Sequence, residues 1–270
     1  MWLNLKIIIA KIIYSYPLIF KDRHIKKFVL KYSDYKDCFV SQTPLILHKS
    51  LDKAQEVIYI FWTGNNDITE NRQAAIDSLV QNSGIEIKLI KPSNLNQYIK
   101  KDFPLHPAYE YLSLVHKSDY LRCYFMYHYG GGYSDIKGCT GNWKESFDKL
   151  NNSDYYVLGY KEIGAGAIAT TNTSIDANLH RYYFKNIGVC AFIHKPNSPI
   201  AKEWFDELNS VLDSYYSYLK EHPGNTNGDN AGYPIPWNRI LSQILHPILL
   251  KYSSKILIDD RVKPIFKNYR

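Results

Sequence analysis

The chain has 270 residues, which suits one domain of ordinary size with an appendage and excludes two full domains. Hydrophobic residues make up 45% and charged residues 22%, a balance that excludes disorder, collagen and repeat arrays. The net charge of +7 is local, because residues 1–31 carry seven lysines and arginines against Asp22 alone and the remainder is close to neutral.

That basic N-terminal arm comes first. Its opening twenty residues are apolar, from Trp2 and Leu3 to Ile19 and Phe20, but Lys6 and Lys11 interrupt the run before it is long enough to cross a bilayer. Apolar residues beside lysines fit a segment lying on anionic lipid headgroups. They fit equally a first helix packed on the domain with its lysines in water. No A-x-A-like cleavage site follows, which argues against a signal peptide. Residues 32–270 then form the globular domain. They show no basic stripe that would track nucleic acid phosphates. Cys38, Cys123, Cys139 and Cys190 form no CxxC pair, so reduced thiols in a cytosolic setting are expected.

After an irregular stretch to about residue 54, Val57 to Trp62 reads as a buried strand rich in β-branched and aromatic residues. Thr63 to Asp67 is loop chemistry, a helix is predicted from about Glu70 to Gln81, and a second strand runs from Ile85 to Ile90. Strand, helix and strand at this spacing make a βαβ unit with a parallel pair. Short helices are predicted around Leu95 to Lys100 and Pro107 to Leu114, and a longer one from about Ser118 to Tyr129 that stops at Gly130, Gly131 and Gly132. A very short strand from Tyr133 to Ile136 follows. Further strands are predicted at Tyr155 to Tyr160 and Gly188 to His194, with helices at Ser198 to Lys220 and Pro236 to Leu245. The fold class is α/β.

The chemistry concentrates near the glycines. The helix from Ser118 to Tyr129 is apolar nearly all round, as an interior helix is. Asp119 and Arg122 nevertheless stand three apart on one face. Either they form a structural ion pair or they serve a ligand, since a buried charge must be paired. Three glycines exceed what a helix stop requires, and extra glycine admits a ligand. The short strand then presents Asp135 and Lys137 with Ile136 pointing the other way. Ligands bind at the carboxyl ends of such strands. Asp119, Arg122, Tyr133, Asp135 and Lys137 are therefore expected around one polar cleft.

The segment from Lys117 to Asp135 reads S-D-x-x-R, an apolar helix, glycines, an aromatic and an aspartate. It resembles the sugar-binding region of glycosyltransferase family 32 and its relatives, the capsular polysaccharide synthesis transferases and the glucosylating toxin domains. The resemblance implies a GT-A-like nucleotide-sugar-binding fold with a mixed, mainly parallel sheet and added helices. It places Trp62 against the donor base, with Thr63 and Gly64 beside it as donor contacts. Asp119 and Arg122 fall where these families touch the donor sugar and diphosphate, and Tyr133 matches the aromatic before the acidic motif. Asp135 matches the first aspartate of a D-x-D motif and would contact sugar and metal. Lys137 stands where the second aspartate would help hold Mn²⁺ or Mg²⁺. A divalent metal at Asp135 would accordingly be weakly held.

These families close the donor site with a C-terminal loop bearing polar residues and a tryptophan. Asp229, Asn230 and Trp237 are the matching candidates, Asp229 as a catalytic group and the other two as donor contacts. Gly164 to Ala169 imitates a dinucleotide fingerprint but lacks a following helix, and reads as a loop over the site. The expected activity is transfer of a hexose or N-acetylhexosamine from a nucleotide diphosphate sugar to a glycan or lipid-linked glycan acceptor. Retention of configuration is implied, in capsule or lipopolysaccharide assembly on the inner face of a membrane. The alternative is a non-catalytic nucleotide-sugar or carbohydrate-binding protein, for which Lys137 is the argument.

Overall fold

In a computed structural model, which describes residues 30–48 and 51–267, strand β1 (Val57–Phe61) is buried along its whole length. Successive side chains of a strand point to opposite faces. Val57, Tyr59 and Phe61 therefore join one apolar cluster, and Ile58 and Ile60 join another. A sheet buried on both faces needs helices on both. Helices α1 (Glu70–Asn82) and α4 (Lys144–Asn151) cover one face, while α3 (Leu114–His128), α6 (Pro199–Glu221) and α7 (Ser242–Lys251) cover the other. Two shorter helices, α2 (Pro92–Leu95) and α5 (Asp176–Arg181), lie in connections. The N-terminal arm expected for residues 1–31 falls almost entirely outside the described residues.

The remaining strands are β2 (Glu86–Ile90), β3 (Gly131–Ser134), β4 (Val157–Lys161), β5 (Ile187–His194) and β6 (Ile256–Ile258). Their order across the sheet is β2-β1-β3-β5-β4-β6. The β1–β2, β1–β3 and β4–β6 pairs are parallel, and β5 runs antiparallel to both its neighbours. This is the α/β class and the mixed, mainly parallel sheet expected from the sequence. The chain leaves β1 towards one side to make β2 and returns to the other side to make β3. The carboxyl ends of β1 and β3 consequently border a topological switch point, where an open α/β sheet leaves a crevice.

Three local expectations are corrected. The helix predicted at Pro236 to Leu245 lies later, at Ser242–Lys251, and runs through Pro247. A helix-interior proline costs about 3 kcal/mol. Burial of Ile244, Leu245, Ile248, Leu249 and Leu250, at about 1.5–3 kcal/mol each, outweighs it. The strand predicted to reach Ile136 ends at Ser134, so Asp135 and Lys137 follow the sheet rather than belong to it.

The glycines, third, serve the fold and not a ligand. Gly130 (φ +64°) ends α3, its amide donating to the Phe125 carbonyl at 3.1 Å. Gly131 (φ +91°) opens β3 where a Cβ would stand 3.0 Å from the Val57 carbonyl oxygen. At Gly132 a Cβ would meet Ile58 and the Trp143 ring at 3.0 and 3.1 Å. Gly131→Ala should therefore cost about 1–3 kcal/mol in backbone strain, read as a lower denaturant midpoint at constant slope. An unchanged midpoint would show that the backbone relaxes there freely.

Candidate active site

A cleft of about 960 Å³ opens at the switch point. The loop after β1 supplies Trp62, Thr63 and Gly64, the end of β3 supplies Tyr133, Asp135 and Lys137, and α3 supplies Arg122. Asp229 and Trp237 close it from the C-terminal loop. The structure thus brings together every residue singled out from the sequence except two. Asp119 lies behind Arg122, and Asn230 lies within the loop rather than on the cleft wall.

Helix α3 fixes the centre. Ser113 caps it by accepting the His116 amide at 3.2 Å, and nearly the whole helix is buried. Asp119 is 3% and Arg122 6% exposed, so the guanidinium needs compensation on all sides. Its Nη2 stands 3.0 Å from Asp119 Oδ1 and 3.5 Å from Asp135 Oδ1, and Nη1 donates to the Val189 carbonyl at 2.9 Å. The group also lies 4.4 Å from the centre of the Tyr133 ring, a cation–π contact. Burial pushes the Asp119 carboxyl up against the opposing pull of Arg122. The pair is a buried ion pair, as the structural reading of the sequence expects, and Arg122 also lines the cleft whereas Asp119 does not.

Asp135 and Lys137 meet through a turn and not through strand alternation. The Lys137 amide donates to the Asp135 carbonyl at 2.7 Å, folding Nζ back to 2.6 Å from Asp135 Oδ2. Ile136 between them enters the opposite apolar cluster. Asp135 Oδ1 accepts the Tyr133 hydroxyl at 2.6 Å. Burial alone would raise the Asp135 carboxyl, but Arg122 and Lys137 hold it below the usual carboxylate range. Lys137 loses by burial and gains more from Asp135, so its ammonium titrates above the ordinary lysine value. The Cys190 thiol, 3.4 Å from Lys137 Nζ, is pushed up to about 12, chiefly by burial.

The arrangement does not fit the divalent metal that the resemblance places at Asp135. Both carboxylate oxygens already face cations or a hydroxyl donor, and an ammonium fills the place of the second carboxylate. Among the described residues no group of three His, Cys, Asp or Glu could hold a metal ion.

The C-terminal loop is pinned to the start of α3. The amides of Leu114 and Val115 donate to the carbonyls of Asn225 and Thr226 at 3.2 Å each. His116 Nδ1 is 2.8 Å from the Tyr233 hydroxyl, and its Nε2 is 3.3 Å from the Trp237 carbonyl. Burial lowers His116 below the ordinary histidine value, so the ring is neutral and can both donate and accept. Asn230 accepts the Asn225 amide at 3.0 Å and donates to the Pro223 carbonyl at 3.0 Å. Asp229 accepts from Asn225 Nδ2 at 2.6 Å, the first of the bonds that lower its carboxyl. The loop's shape is built in, and it leaves Trp237 59% exposed.

Sequence reasoning missed Arg72, Ser118, His116 and the Thr226–Asn227 stretch. Arg72 lines the cleft from the first turn of α1 and donates to the Ile136 carbonyl at 2.6 Å. A cation in a helix's first turn opposes the helix dipole, and that misplacement is the signal that could have marked it. Nothing in the sequence marks His116. The Gly164 to Ala169 loop expected over the site does not line the cleft; the Ala169 amide donates to His246 Nδ1 at 3.2 Å on α7.

A family model described as "Capsular polysaccharide synthesis protein" matches residues 20–205. Among solved structures, the chain is similar to one titled "PaToxG Glycosyltransferase", at 15% identity and a TM-score of 0.39, over 64% of this chain and 67% of that one. No curated protein matches significantly.

Replacing Asp119 should be felt twice. Breaking a buried pair by removing one partner costs about 3–5 kcal/mol, so Asp119→Ala should lower the melting temperature sharply. Asp119→Asn, which keeps the shape, should lose less stability yet still weaken ligand binding at Arg122. Full stability in both variants would show that Asp135 alone compensates the guanidinium.

Proposed function

Because the chain belongs to the capsular polysaccharide synthesis family, we propose that the cleft binds a nucleotide diphosphate sugar and transfers its hexose or N-acetylhexosamine to a glycan acceptor. The observation that carries this reading is the convergence of Arg72, Arg122 and Lys137 on one cleft with Asp135 between them. Three cations against the carboxylates of Asp135 and Asp229 suit a doubly charged diphosphate. The half-buried Trp62, its indole N–H held by the Asn66 carbonyl at 2.7 Å, offers a ring for the base.

In this reading the bond from the anomeric carbon to the diphosphate oxygen breaks as an acceptor hydroxyl oxygen bonds to that carbon. The hydroxyl proton passes to the departing phosphate oxygen, a front-face route that retains configuration. Such a route needs charge stabilisation and alignment more than a protein base. Arg122 and Lys137 neutralise the leaving group. Asp135, ionised because of those same cations, accepts hydrogen bonds from sugar hydroxyls and is no proton donor. Tyr133 holds Asp135 in place. Asp229 and Trp237 complete the cleft from the loop, Asp229 aligning the acceptor hydroxyl, and Asn230 keeps the loop in shape.

Lys137 takes the charge-neutralising part that a second aspartate and its metal would play. A compact ammonium on a flexible stem reaches the same phosphate oxygens. A cytosolic donor and a lipid-linked acceptor on the inner face of a membrane would suit the basic apolar arm, and this reading assigns the reaction to capsule or lipopolysaccharide assembly. No helix among the described residues is long and apolar enough to cross a membrane. The Asp135–Lys137 ion pair also favours a second reading, a binding protein without turnover, since it neutralises the carboxylate that would face the sugar.

Release of a nucleoside diphosphate from UDP-, GDP- or dTDP-sugars separates the two readings; a binding protein releases none. Base stacking on an aromatic contributes about 1–3 kcal/mol, so Trp62→Ala should weaken donor binding about five- to 150-fold with the fold intact. Unchanged affinity would make Trp62 a packing residue. Chelator-treated protein should keep appreciable transfer while Lys137→Ala loses it. The reverse pattern would reject the lysine's part.

A further inference from the structure

A second cavity, of about 400 Å³, lies between α6, the start of α7 and the segments around residues 37–39 and 171–173. Its wall includes Glu207 and Tyr215 from α6, Arg239 from the turn before α7, and Asp37 and Phe39 from the opposite segment. The turn that bounds it also bounds the first cleft: Pro236 faces the cavity and Trp237 the cleft. The loops around it are fixed. Asp37 accepts the Ser174 hydroxyl at 2.5 Å and the Ser174 amide at 2.8 Å, and Gln243 donates to the Thr170 carbonyl at 2.9 Å.

Two groups in this ordered frame stand apart from the rest. Among the described residues, neither the Glu207 carboxylate nor the Arg239 guanidinium has a hydrogen-bond or ion-pair partner. They nonetheless sense each other electrostatically, because burial pushes the Glu207 carboxyl up and Arg239 pulls it down. Opposite charges that share a cavity without touching leave an acceptor and a donor fork for something between them. Asp37 and Glu207 outnumber Arg239, so a phosphate or an anionic headgroup is disfavoured. Phe39 and Tyr215 add the aromatic surface against which a sugar ring packs.

We propose that this cavity is a saccharide subsite for the acceptor glycan, in which Glu207 and Arg239 grasp neighbouring hydroxyls of one neutral hexose or N-acetylhexosamine unit. The inference rests on the glycosyl-transfer reading of the first cleft. The glycan chain would pass from the cavity around the Pro236–Trp237 turn, presenting its end to the donor.

The test is direct binding of a defined set of immobilised neutral mono- to tetrasaccharides of hexose and N-acetylhexosamine to the full chain, with nucleotide-sugar thermal shifts measured on the same samples. Wild type should bind members of the set. Glu207→Gln and Arg239→Met should each lose that binding by about tenfold or more, with the nucleotide-sugar shift unchanged. The Glu207→Gln protein should melt no lower than wild type, because a carboxylate whose folded value is raised costs stability once pH exceeds its ordinary value of 4.5. Absence of any saccharide binding by wild type, or binding that survives both substitutions, overturns the proposal. If nucleotide sugars fail to shift wild type while saccharide binding is still lost on substitution, the donor reading fails and the cavity stands.

Discussion

A guanidinium taken out of water must be answered by charge or hydrogen bonds, and the cleft is built around that demand at Arg122, whose two Nη atoms are answered while Nε has no hydrogen-bond partner among the described residues. Asp119 answers it from within the helix, Val189 from the neighbouring strand, and the face of Tyr133 from below. Asp135 answers it from the cleft side at 3.5 Å, a longer contact than the 3.0 Å to Asp119. The firmer bond lies behind and the looser one in front. A ligand anion can therefore approach Arg122 without first dismantling the support that keeps the side chain extended. At Asp135 the two oxygens are held equally closely, Oδ1 by the Tyr133 hydroxyl and Oδ2 by the Lys137 ammonium, each at 2.6 Å.

What the sequence made legible was whatever is local. Asp119, Arg122, Tyr133, Asp135 and Lys137 sit in one stretch joined by a helix, a cap and a strand, so their types and spacing together point to a shared cleft. Helix α3 and strand β1 were readable because burial on all sides leaves long apolar runs. Strand β6, three residues long, forms only because β4 offers it an edge, and helix α4, short and half charged, has only a few core residues to announce it. Neither was expected.

Parts of the site that depend on topology were hidden in the same way. Arg72 reaches the cleft because α1 starts beside the end of β3, which no spacing within α1 reveals. His116 matters because a loop more than a hundred residues later in sequence folds back onto it. Trp237 and Asp229 were found through family resemblance; their own surroundings in the sequence look like an ordinary turn. The meeting of Asp135 and Lys137 was anticipated for the wrong reason, since a turn does what strand alternation was expected to do.

The connection from α3 into β3 works as a ruler. Arg122 and Asp135 stand thirteen positions apart, and each of the twelve residues between them is committed to helix α3, to the cap at Tyr129 and Gly130 or to the strand. There is no slack in which an added or lost residue could be absorbed. One residue more in the helix would turn Arg122 by about 100° around its axis, and one more in the strand would send Asp135 to the opposite face. The separation between the two charges is set by backbone geometry alone, so this interval should resist insertions and deletions more strictly than it resists changes of side chain.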